Sequence, residues 1–171
     1  MPTSASPLRW TIWFWPALLA TLVLDLASKS TIFALAANAL PGWIERHYNT
    51  GVAWSLFADH PGFVAGLTAL LIPLLAWVWW SGYRKLGRVE NLAFGLILGG
   101  ALGNGYDRAL AQLGHWPGVR DFIHVDLHPI GINYIWPTFN VADSGITVGF
   151  VLLLIRAFAP APKPKPAPSA S

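Results

Sequence analysis

Residues 139–149 read Phe-Asn-Val-Ala-Asp-Ser-Gly-Ile-Thr-Val-Gly, and the apolar run they open continues to Phe158. One carboxylate, Asp143, stands at its head. An ionisable group inside a membrane span costs roughly 2.5 to 3.5 kcal/mol even on a lenient insertion scale, so its presence marks a functional site. The composition agrees with a membrane setting. Of 171 residues, 54% are hydrophobic and 11% charged, with ten Trp, whereas soluble domains carry about 25% charged residues. The length allows one domain. The net charge of +3 is small and its bases are scattered, so nucleic acid is not an expected partner. The chain has no cysteine, which excludes disulfides, thiolate metal sites and a cysteine nucleophile.

Outward from Asp143, the apolar pattern predicts an all-α membrane protein with four transmembrane helices, at about 10–28, 61–83, 91–110 and 138–158. A helix needs roughly 20 apolar residues to cross the hydrocarbon core. The first segment also looks like a secretory signal, with Arg9 in front and Ala37-Asn38-Ala39 behind. Its apolar part exceeds the 7 to 15 residues typical of such signals. Asp25 and Lys29 stand inside it at the i, i+4 spacing of a helical ion pair, acid first. A retained span is therefore the expectation. Between the first two spans, Trp43-Ile44 and Val52 to Phe57 are expected as short strands around an Asn49-Thr50-Gly51 turn, a small β-rich extramembrane cradle. Residues 111–137 form a second extramembrane loop, and 159–171 a Pro-rich flexible tail beyond a single unit of 1–158. Gly95, Gly99, Gly100 and Gly103 fall at spacings of three and four in the third span, a stripe that lets helices approach closely.

The basic residues set the orientation. With both termini inside, Arg9, Arg84, Lys85, Arg88, Arg156, Lys163 and Lys165 lie on the inner side, against Lys29, Arg46, Arg108 and Arg120 outside. Asp25, Asn49, Asn104, Asp107, Asp121 and Asp143 then gather at the outer surface.

Three chemistries compete for this cluster. Ser144 has no His near it in sequence, as a serine nucleophile would require. His124 and His128, with Asp121 and Asp126 nearby, suggest zinc, but His-Val-Asp-Leu-His is not a His-Glu-x-x-His motif and Pro129 disfavours helix at His128. Two acids sharing one proton give peptide hydrolysis without a covalent intermediate. Asp143 has Asp25, Asp107, Asp121 and Asp126 as possible partners. Asp25 has Lys29 one turn away, Asp107 is followed by Arg108, and Asp126 lies in the wetter part of the loop. Asp121 follows Arg120, but neighbours in an extended segment point to opposite sides. This ranks Asp121 first only narrowly.

A set of short blocks adds to that reading. Asp25 with Lys29, Asn49 to Ala53, Gly99 to Asn104 with Asp107-Arg108, Val119 to Phe122, and Phe139 to Ser144 together resemble the lipoprotein signal peptidase family, also called signal peptidase II. The resemblance implies a bacterial inner-membrane aspartic endopeptidase. Such an enzyme cuts a prolipoprotein signal peptide just before its diacylglyceryl-modified cysteine, with no cofactor or metal, its partners being the lipidated substrate and membrane lipid. It further implies Asp121 and Asp143 as the catalytic pair, Asn49, Asn104, Arg108 and Asn140 lining or supporting the site, and Asp25, Lys29 and Asp107 as supporting polar positions. A monomer is expected, with both termini cytoplasmic and the site near the periplasmic face. The competing readings are a zinc-dependent membrane protease, which chelators would inactivate, and a non-catalytic small transporter subunit, which should space its charges through the membrane depth.

Overall fold

The computed structural model describes residues 10–52 and 56–159. Four helices and one small sheet follow in order: α1 (Phe14–Ala34), β1 (Ile44–Asn49), α2 (Pro61–Ser81), α3 (Arg88–Gln112), β2 (Val119–Asp126), β3 (Ile135–Phe139) and α4 (Val141–Phe158). Among the described residues, three helices are long and apolar enough to cross a membrane: 11–34, 61–81 and 141–158. The fourth helix, α3, has the length at 25 residues but carries Arg88, Glu90, Asp107 and Arg108 together with five glycines, and does not meet that standard of composition. It is instead the helix the others enclose, packed against α1, α2 and α4.

Glycine makes this enclosure possible. A Cβ on Gly95 or Gly99 would strike the backbone of α1 at Phe14 or Leu18, and one on Gly100 would strike the carbonyl of Ala142 on α4. On α4, Gly145 makes room for the Thr21 side chain, and Gly149 lies against the Ala93 carbonyl. The stripe expected in the third span is therefore part of a seam that lets α1, α3 and α4 meet backbone to backbone.

The two ends of the helix bundle differ in chemistry. Where α1 begins, Phe14, Leu18, Trp79, Phe94 and Leu98 form the apolar core, with the rings of Phe14 and Trp79 stacked at 3.6 Å. At the other end lie the polar network and the sheet. The strand order is β1-β2-β3, antiparallel throughout. His47 is opposite Asp121, and Asn49 opposite Val119.

Several boundaries differ from expectation. Helix α1 runs past Ser28 to Ala34, because Lys29 is buried in a polar network instead of ending the span at a water surface. Helix α4 starts at Val141, not Thr138, because Thr138 lies in β3 and Asn140 caps the helix. The strand that pairs with β1 among the described residues is β2, from the second loop, and not the segment just beyond Asn49-Thr50-Gly51. The Asn49 Oδ1 accepts from the Gly51 N–H at 2.9 Å, a local Asx turn at the end of β1, and residues 56–59 lie in turns. Of the second expected strand, 53–55 lie outside the described residues, as do 160–171 of the Pro-rich tail.

Candidate active site

Asn140 is where the site is assembled. It is the N-cap of α4, and its side chain accepts from the backbone N–H of Asp143 at 2.9 Å while its own N–H donates to Asp143 Oδ2 at 3.1 Å. This reciprocal capping box satisfies two donors that a helix start leaves open. The Asn140 Nδ2 then donates to Asp121 Oδ1 at 2.6 Å and to Asn104 Oδ1 at 3.1 Å. One residue thus holds both Asp121 and Asp143. Asn104 completes the frame, its Nδ2 donating to Asp143 Oδ1 at 2.8 Å.

Beneath this frame lies an ion network without access to solvent. Asp25, Lys29 and Asp107 are each 0% exposed. The three N–H groups of the Lys29 ammonium reach Asp25 Oδ2 at 2.7 Å, Asn104 Oδ1 at 2.9 Å and Asp107 Oδ2 at 3.2 Å. Asp25 uses its other oxygen to accept from the Ala142 N–H at 3.0 Å, tying α1 to the first turn of α4. Asp107 accepts from the Arg120 backbone N–H at 3.0 Å and from its guanidinium at 2.8 Å. Breaking such a buried pair from one side typically costs 3–5 kcal/mol, because the partner charge is left stranded.

One assignment is corrected here. The cation for Asp107 is Arg120 with Lys29, not the adjacent Arg108, because neighbours on a helix do not face each other. Arg108 instead donates from Nη2 to the Gly51 carbonyl at 2.9 Å. The alternation expected about Arg120-Asp121 is present: Arg120 turns to Asp107, and Asp121 turns to the cavity. Asp126 is exposed and accepts from the His128 N–H at 2.9 Å, away from Asp143.

Asp121 and Asp143 both line a cavity of about 1030 Å³, together with Asn49, Asn104 and Arg108. Its remaining wall is largely apolar, including Leu71, Ile72 and Leu75 of α2 and Ile146 of α4. Asp121 is 1% exposed. Burial first, and the neighbouring Asp143 second, push its carboxyl up to about 7, while the amides of Asn140 and Asn49 and the charge of Lys29 pull the other way. A pair of acids in which one is held protonated near neutral pH can supply both a general base and a general acid.

The histidines do not share a site. His124 Nδ1 lies 2.9 Å from Glu45, and His128 contacts Asp126 and Asn133. The Ser144 hydroxyl donates to the Asn140 carbonyl at 3.0 Å, which leaves it no base. Sequence reasoning missed His47, which lines the cavity across from Asp121 and is visible only once the strand register is known. It also missed the capping box, although Asn-x-x-Asp ahead of an apolar run was its signal.

Comparison with known proteins gives this geometry its context. The family described as signal peptidase (SPase) II matches residues 17–159. The lipoprotein signal peptidase of Pseudomonas fluorescens strain Pf0-1 is 38% identical, covering 92% of this chain and 94% of the relative. That of Aquifex aeolicus strain VF5 is 35% identical, covering 88% and 89%. Among solved structures, a bacterial membrane enzyme determined by the in meso method at 2.3 Å resolution superposes with a TM-score of 0.66 at 26% identity, covering 83% of this chain and 85% of the other. With its acids at the head of α4 and near the start of β2 and a family match spanning nearly its whole helical body, the chain belongs to the signal peptidase II family of aspartic proteases.

Proposed function

We propose that this aspartic endopeptidase cuts a prolipoprotein just before its diacylglyceryl-modified cysteine, with Asp121 and Asp143 as the catalytic pair. The observation that carries the assignment is the double hold of Asn140 on the two acids, through Nδ2 on Asp121 and through backbone N–H on Asp143. The environments of the acids also divide their roles. Asp143 accepts from Asn104 and from the Asn140 N–H and sits in the first turn of α4, where the helix dipole favours negative charge. Asp121 is buried beside Asp143, and burial and that neighbouring charge outweigh the pull of the Asn140 amide, so it is the member that holds the proton at rest.

The reaction follows from that division. A water between the acids loses a proton to the Asp143 carboxylate as its oxygen bonds to the scissile carbonyl carbon, and Asp121 gives its proton to the carbonyl oxygen. In the collapse of the tetrahedral species, Asp143 passes its proton to the departing nitrogen, the C–N bond breaks, and Asp121 recovers a hydroxyl proton as the new carboxyl group forms. Water has then been added across the peptide bond with no covalent intermediate. Lys29, Arg108 and Arg120 face four carboxyls, those of Asp25, Asp107, Asp121 and Asp143. The site is therefore electrically neutral when the catalytic pair carries one proton.

The same reading places α3 as a fourth crossing whose polar face is enclosed by α1, α2 and α4, in a monomer of the bacterial inner membrane with residues 1–158 as one peptidase unit. The connections α1–α2 and α3–α4, with the sheet, lie at one end, and Arg84, Lys85, Arg88 and Arg156 at the other. The positive-inside rule then puts the basic end and both termini in the cytoplasm and the site near the periplasmic face. The test is a gel-shift cleavage assay on a diacylglyceryl-modified precursor in proteoliposomes. Asp121→Asn and Asp143→Asn should each lower turnover by at least about 10²-fold with insertion unchanged. Substantial cleavage by either variant overturns the pair.

A further inference from the structure

At the end of the molecule opposite the cavity, the α2–α3 connection gathers cations on a turn fixed from within. Residues 80–88 read Trp-Ser-Gly-Tyr-Arg-Lys-Leu-Gly-Arg. The guanidinium carbon of Arg84 lies 3.8 Å from the centre of the Trp80 ring. Arg88 lies 5.3 Å from Trp10 and 5.9 Å from Trp13, and Lys85 is exposed. The backbone carrying these side chains is held by Asn91, itself 0% exposed. Its Nδ2 donates to the carbonyls of Gly87 at 2.8 Å and Arg84 at 3.3 Å, while its Oδ1 accepts from the Trp79 indole at 3.0 Å.

The cations on this turn are not matched by acid. The neighbouring carboxylate, Glu90, is engaged by Arg156 at 2.8 Å, and its other oxygen fills the space beside Gly87 at the start of α3. Arg84, Lys85 and Arg88 have no carboxylate partner among the described residues. The Arg84 Nε is buried without an acceptor. A guanidinium stacked on an indole keeps its N–H edge free, and that edge matches the oxygens of a phosphate.

We propose that the Arg84–Lys85–Arg88 turn binds the phosphodiester headgroup of an anionic membrane phospholipid. Depth selects a lipid over a soluble anion. Trp77 and Trp80 are 64% and 56% exposed on the last turns of an apolar helix, the position at which aromatic rings meet the headgroup layer. Leu86, also exposed, lies between the basic residues and offers the adjoining acyl region an apolar contact. Basic residues beside a membrane are individually attracted to anionic headgroups, and three on one rigid turn act together.

The test measures lipid retained by the purified full-length enzyme in micelles, by native mass spectrometry, with thermal shift as a second readout. The probes are dioleoyl phosphatidylglycerol, dioleoyl phosphatidylcholine and inorganic phosphate. Wild type should bind the anionic lipid at least about 10-fold more tightly than the zwitterionic one, gain melting temperature with it, and gain none from phosphate alone. The variant R84Q/K85Q/R88Q should lose that preference while its cleavage of lipidated precursor is unchanged. Equal binding of the two lipids by wild type overturns the site, as does an equal shift from inorganic phosphate or an undiminished preference in the variant. The lipid comparison on wild type decides the matter even if the triple variant does not fold.

Discussion

Asn140 caps a helix, orients one acid and touches the other, so the chemistry of this site is concentrated in side chains that also hold the fold. Asp121 shows what that concentration costs. Its carboxyl is pushed up to about 7 in the folded chain, chiefly by burial, against about 3.9 for a free carboxyl. Folding therefore takes up a proton at this position. The associated stability is fully present below the unfolded value and is lost as pH rises through about 7. Asp121→Asn removes the titration and keeps an oxygen to accept from Asn140. It should melt close to wild type near pH 4 and above it at pH 8, by up to about 4 kcal/mol, in detergent melts followed across that range. A difference independent of pH sinks the argument. Legibility at this scale was uneven. Asp143 is marked by the expense of a charge at an apolar helix, a property of its own neighbours in sequence. The partner of Asp107 was misread from adjacency, and the choice of Asp121 leaned on resemblance, because strand register and helix packing bring those side chains together.

Among the elements, α3 decides how the others sit. Its glycines let α1 and α4 approach so closely that the acids near the start of β2 and at the head of α4 meet over Asn104 and Asn140. Gly100→Leu should therefore push α4 outward, with overpacking of about 1–3 kcal/mol and a loss of cleavage larger than the loss of folded protein. At Gly66 of α2 nothing lies within 4 Å of a new Cβ, so Gly66→Ala should stay within about 0.5 kcal/mol of wild type and retain activity. Thermal melts and single-turnover cleavage on the two variants separate these outcomes; equal behaviour removes the seam from the account. Helices and the glycine stripe were readable because each repeats along a continuous segment. The sheet was readable only as strand-rich composition, since β1 finds its partner across two intervening helices, and the Asx turn at Asn49 competes with the hairpin that local pattern suggests.

Taken whole, the molecule separates an end with an aromatic core and surface cations from an end with a buried ion network, and the site at the second end is neutral with one proton on the proposed catalytic pair. Raising pH through about 7, where Asp121 releases its proton, leaves the site with an uncompensated negative charge and without its general acid. The kcat/KM for a lipidated precursor should accordingly fall on the alkaline side with a midpoint near 7. An activity that stays flat to pH 9 contradicts that proton count. One last feature bears on how such rates are to be expressed. Helix α2 packs chiefly against α3, and its residues Thr68, Leu71, Ile72 and Leu75 form an apolar wall of the cavity. On the proposed function, a diacylglyceryl-anchored precursor would meet that wall by lateral diffusion within the leaflet. Encounter is a search in two dimensions, and the concentration that saturates the enzyme is a mole fraction of lipid, so diluting the bilayer slows cleavage while diluting the vesicles does not.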